Sequence, residues 1–143
     1  PGTWSEFGVG CGAPGFAAPT LHSTVLPARG VPFVVTVDNL PNSPLNVAIG
    51  ILGFSNQLSL GRVLPADLGV FGLPGCLQYI DPSSWSALVP NLGGHAMFAV
   101  PLPATTQLVE IGVTFYLQAV VLVPGVNAFG GLTTNAGRAV IGW

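Results

Sequence analysis

IGVTFYLQAVVLVP, residues 111–124, is the most apolar run in the chain and decides its fold. Alternate positions separate into two sets. Val113, Phe115, Leu117, Ala119, Val121 and Val123 would share one face, and Thr114, Tyr116, Gln118, Val120 and Leu122 the other. Period-two alternation of β-branched and aromatic residues specifies a strand. A strand apolar on one face and only mildly polar on the other belongs in the interior of a sheet. A second layer covers one side, and the other is left for further chain or for a neighbouring molecule.

Outward from this run, the chain breaks into short strand-like segments separated by turn formers. Residues 20–26 and 32–38 read as the first two strands, joined through Pro27-Ala28-Arg29-Gly30. Residues 45–54 form the third, with Gly50 and Gly53 where a bulge or a close backbone approach would fit. Further strands are expected at 76–80, 84–89 and 95–102. Single helical turns are expected at 65–68 and at 105–110, the latter capped by Thr105. After residue 124, a short segment at 130–134, a turn at Thr134-Asn135-Ala136-Gly137 and a final edge strand near 138–143 complete the reading. Seven to nine short strands with almost no helix specify an all-β antiparallel sandwich, jelly-roll or immunoglobulin-like. The glycine- and proline-rich residues 1–19 are expected to be an extended arm, and residues 20–143 the sandwich domain.

At 143 residues the chain is one domain. Only 6% of its residues are charged, against about 25% in an average protein. There is no lysine, and Arg29, Arg62 and Arg138 face Glu6, Asp38, Asp67, Asp81 and Glu110 for a net charge of −2. Nucleic-acid binding is excluded, because phosphate recognition needs clustered cations. No membrane span is expected: residues 111–124 are too short for a transmembrane helix and contain Thr, Tyr and Gln. The strands are too few for a transmembrane barrel. The chain opens Pro1-Gly2-Thr3 with no methionine, as a processed chain would. Cys11 and Cys76, the only cysteines, read as one disulfide of an exported protein or else as two buried thiols.

Several separated segments carry a resemblance. Gly8-Val9-Gly10-Cys11, Gly53-Phe54-Ser55, Leu73-Pro74-Gly75-Cys76, Phe115-Tyr116-Leu117-Gln118-Ala119, Pro124-Gly125-Val126-Asn127-Ala128 and Arg138-Ala139-Val140-Ile141-Gly142 together resemble a small secreted domain. That domain recurs in exported proteins of planctomycete-type bacteria, alone and at the ends of longer chains. The resemblance covers nearly the whole chain. It implies export, to the cell surface or beyond, and a Cys11–Cys76 bridge, and it brings no activity with it.

The residues carry no catalytic pattern. Gly53-Phe54-Ser55-Asn56-Gln57 lacks the second glycine of a nucleophile elbow, and a Ser55, His95, Asp81 triad has only isolated residues to draw on. No HxH, CxxC or DxDxD spacing occurs, so no metal is expected beyond a structural calcium on backbone carbonyls, and no cofactor. The chain is therefore read as a non-enzyme. Only 38 of 143 side chains are charged or polar, so apolar atoms must cover much of the outside. Such surfaces belong to proteins with permanent partners. The expectation is an exported structural subunit that assembles with copies of itself into a fibre or surface array through sheet edges and the arm. Trp4, Phe7, Ile141 and Trp143 are its candidate interface residues. The alternative is a carbohydrate-binding or adhesion module of a larger secreted protein, stacking a polysaccharide on Trp85 beside Asp81.

Overall fold

The computed structural model describes residues 1–41, 47–82, 85–103 and 111–143, with the side chain of Trp85 outside that description. Two antiparallel sheets contain eight strands: β1 (Thr3–Phe7), β2 (Thr20–His22), β3 (Phe33–Asp38), β4 (Val47–Gly53), β9 (Trp85–Pro90), β10 (Ala96–Val100), β11 (Thr114–Leu122) and β12 (Gly131–Val140). Four two-residue strands lie between β4 and β9: β5 (Leu58–Ser59), β6 (Arg62–Val63), β7 (Ala66–Asp67) and β8 (Leu77–Gln78). The larger sheet has the order β1-β12-β11-β4-β9, the smaller β10-β3-β2, and β5 pairs β6 as β7 pairs β8.

β11 is the central strand of the five, as its sequence demands. Its odd-numbered residues Phe115, Leu117, Ala119 and Val121 are buried. Register places Leu52 opposite Leu117 and Ala48 opposite Val121, so β4 continues the same apolar face. The smaller sheet answers with Phe33, Val35 and Val37 of β3 and Ala96, Phe98 and Val100 of β10, and the two faces close one core. The contact is intimate enough to need glycine. A Cβ on Gly50 would lie 2.7 Å from the Phe98 ring, which is the close approach expected of a glycine inside this strand.

Two expectations about the ends are corrected. Residues 3–7 of the supposed arm are a strand, paired with β12 from Thr3↔Val140 to Phe7↔Ala136, and Cys11 N–H continues the contact to Thr133 O at 3.0 Å. Trp4 fixes this strand, its ring 5.3 Å from that of Phe33. At the other end, the expected turn at 134–137 and the edge strand after it are one ten-residue strand, and it lies between β1 and β11. The turn formers instead make a β-bulge: Thr134 and Asn135 together oppose Ala119, and Thr134 Oγ1 accepts the Ala119 N–H at 3.0 Å. Asn135 bonds both backbone groups of Leu21, donating to its carbonyl and accepting from its N–H, and so ties the larger sheet to β2.

The helical turn expected at 65–68 is the strand β7, and a 3-10 turn follows at Gly69–Phe71. The turn expected at 105–110 lies outside the described residues, as do 42–46 and 83–84. The Cys11–Cys76 disulfide is formed and bridges 65 positions of sequence. Among the described residues no helix is long and apolar enough to cross a membrane.

Candidate functional site

The outer face of the larger sheet carries Ile51 of β4 and Tyr116, Gln118 and Val120 of β11, too apolar a surface to stand bare. The chain between β4 and β9 folds back over half of it. Tyr79 and Ile80 bury there with Ala136, packed by Phe7, Ile51, Leu77 and Tyr116. Gln118 fastens this outer layer. It is 2% exposed, accepts the Tyr79 N–H at 2.9 Å, and donates to Leu77 O at 2.8 Å and Thr134 O at 2.9 Å. The disulfide adds a covalent tie from Cys76 to Cys11, in the segment after β1, whose N–H bonds Thr133 O of β12.

Where the layer lifts away from the sheet it leaves a cleft of about 560 Å3. Ile51, Val120 and Thr133 form its floor; Leu68, Phe71, Leu73 and Phe129 form its walls. This size falls within the range of small-molecule pockets. One margin is polar. Ser59 Oγ donates to Asp81 Oδ1 at 2.8 Å and accepts from Gln78 Nε2 at 3.1 Å. Arg62 lies 5.1 Å above the Phe71 ring and donates to Asp67 O at 2.9 Å. Arg62 and Asp81 therefore border one cleft without pairing. Asp38 makes ion pairs with both His22 and His95.

The rim is apolar. Of the residues bordering the cleft, Phe71 and Phe129 are exposed, and Leu60 is 98% exposed at the tip of the β5–β6 hairpin. Leu60 and Gly61 have φ of 48° and 79°, the signature of a type I′ turn, where asparagine and glycine are the usual occupants. The sequence reading missed Arg62, Phe71, Phe129 and Leu60. The one available signal was a leucine in the turn position of Leu58-Ser59-Leu60-Gly61-Arg62-Val63.

The expected site residues are dispersed. Asp81 is on the cleft margin, while the Trp85 backbone pairs with Leu52 at the start of β9 and its ring lies outside the described structure. Trp4 packs into the body and donates through Nε1 to Glu6 Oε2 at 2.7 Å. Phe7 sits edge-on to Tyr79 and Tyr116, Ile141 is buried in the core, and Trp143 is 78% exposed. The residues of a Ser55, His95, Asp81 triad are engaged elsewhere. Ser55 Oγ accepts the Gln57 and Leu58 N–H groups, Asp81 takes Ser59, and His95 takes Asp38.

A second polar cluster lies on the smaller sheet, where Asp38 Oδ2 meets His22 Nε2 and Asp38 Oδ1 meets His95 Nδ1. Burial pushes the Asp38 carboxyl up, but the hydrogen bonds and charges of His95 and His22 outweigh it and hold the group below its ordinary value. The three side chains satisfy one another, and among the described residues no group of His, Cys, Asp or Glu could hold a metal ion. Comparison of the chain with protein-family models, with characterised proteins and with solved structures finds no match.

Proposed function

We propose that this chain is an exported structural subunit, of the planctomycete-type secreted family it resembles, that joins copies of itself edge to edge into an extracellular fibre or surface array. What carries this reading is β9. It is an outer strand of the larger sheet, its six residues Trp-Ser-Ala-Leu-Val-Pro bear no charge, and among the described residues no strand lies beyond it. Monomeric sheet proteins protect such edges with lysine, proline, inward charges or bulges; β9 has only Pro90, at its last position, and the uncharged stretch before it is a template for another chain. Sixteen large apolar side chains are exposed among the described residues, twice the eight ionised ones in the sequence. That excess favours permanent contacts over free solution. The disulfide suits an oxidising compartment outside the cytoplasm.

The test is negative-stain electron microscopy with light scattering over a concentration series, on the wild type and on Leu88→Lys, which puts a charge on β9 at a residue 66% exposed. Filaments or sheets in the wild type and their loss in Leu88→Lys are expected. A monodisperse 14.6 kDa wild type at every concentration would refute the reading. The carbohydrate-binding alternative draws its support from the hydrogen-bonding groups of Ser59, Gln78 and Asp81 beside Phe71 and Phe129. It predicts co-sedimentation with an insoluble polysaccharide that Asp81→Ala abolishes.

A further inference from the structure

We infer that the cleft is a two-fold interface between two copies of this chain, each inserting Leu60 into the cleft of the other. The inference rests on the self-assembly reading but concerns a different surface from β9. Its first ground is the position of Leu60. An almost fully exposed leucine in a left-handed turn is unfavourable in solvent and in backbone conformation alike. Burial in a partner removes the first of these costs.

The second ground is that projection and cavity share one patch, since Leu60 itself borders the cleft. A projection fitting a cavity elsewhere on the surface would join copies head to tail. When both lie together, a two-fold axis through the patch satisfies them reciprocally. The third ground is charge. Arg62 and Asp81 border the cleft, neither in an ion pair among the described residues, and a ligand of one sign would leave the other group facing it uncompensated. A second copy turned through the two-fold presents Asp81 to Arg62 and Arg62 to Asp81, so the patch is complementary to itself. The predominantly apolar floor and walls suit leucine and phenylalanine better than a sugar.

The consequence for assembly is geometric. Antiparallel pairing of β9 with β9 is also two-fold. One two-fold contact ends at a pair, whereas two different ones on each copy propagate a chain of copies. Sedimentation velocity on Leu88→Lys should therefore show a pair of twice the 14.6 kDa chain mass. Adding Leu60→Asn, which suits the left-handed turn and keeps the hairpin folded, should halve that mass. Arg62→Asp in the Leu88→Lys background should also give the single chain, and Arg62→Asp with Asp81→Arg should restore the pair. A pair that survives Leu60→Asn overturns the inference. So does a Leu88→Lys protein that is a single chain at every concentration while the wild type forms filaments, an outcome that leaves the β9 reading standing. Conversely, pairs lost with Leu60→Asn in a protein whose assembly ignores Leu88→Lys support the cleft and overturn β9. A single-chain wild type that binds polysaccharide through the cleft overturns both.

Discussion

Gln118→Leu removes the three hydrogen bonds that fasten the outer layer to the sheet, and its cost can be worked from the geometry. The side chain is buried, and its loss leaves Tyr79 N–H and Thr134 O without it and Leu77 O with only a long 3.4 Å bond from Thr133 Oγ1. A buried backbone group deprived of its partner costs about 1–3 kcal/mol. Taking about 1.5 kcal/mol for each of the three, and returning about 1 kcal/mol for the apolar side chain, leaves a net loss of about 3–4 kcal/mol. For a chain of this length, between the size classes for which the slope is known, that lowers Tm by about 10 °C. Circular dichroism melts read the global loss, and hydrogen exchange at the Tyr79 amide reads the local one. The outer layer should lose protection before the sandwich core does. Gln118→Glu should be worse, since it keeps an acceptor for Tyr79 but loses both donors and buries a charge. A Tm within about 3 °C of wild type, with Tyr79 still protected, would refute the assignment of Gln118 as the fastener.

Asp38→Asn tests the histidine cluster. Because the folded carboxyl titrates below its ordinary value of 3.8, its contribution is fully present above that pH and is lost as pH falls through the lower folded value. Tm measured against pH should thus fall more steeply in acid for wild type than for Asp38→Asn, with the variant less stable near neutrality; parallel curves would contradict this. Gly137→Ala places a Cβ 1.8 Å from the Trp4 ring and should cost about 1–3 kcal/mol by displacing it. In a double-mutant cycle, Trp4→Leu should relieve much of that cost, whereas additive losses would show that the ring is not the obstacle. Replacing Cys11 and Cys76 by alanine opens a loop of 65 positions. The chain-entropy estimate is a loss of about 4 kcal/mol, checked by denaturant melts of the variant and of reduced wild type.

The strands that the sequence announces are those whose alternation is enforced by one continuous core. Phe33–Asp38, Ala96–Val100 and Thr114–Leu122 each show alternate burial along all or most of their length. β12 was illegible because its least strand-like residues serve distant neighbours. Asn135 reaches Leu21 across the sandwich, and Gly137 leaves room for Trp4, so residues that look like a turn form a bulge and a flat bed instead. β1 was hidden by the glycines and prolines that follow it. The cleft had no local signature, since Ile51, Arg62, Phe71, Asp81, Val120 and Phe129 meet only after the chain has doubled back over the sheet. The His22, Asp38 and His95 cluster likewise joins residues 16 and 57 positions apart, far beyond the reach of any motif.

The seating of β12 between β1 and β11 sets a timetable for folding. β1 has no ladder partner until residues 136–140 exist, and β11 lacks one of its two neighbours until then. Domains usually form as they emerge during synthesis, amino-terminal parts first. Here the larger sheet has to wait, with β1 idle, until residues 136–140 have been made. Contacts of such long sequence separation also slow the search for the native pairing. A ribosome-bound chain stalled before residue 131 should accordingly remain protease-sensitive at residues 3–7.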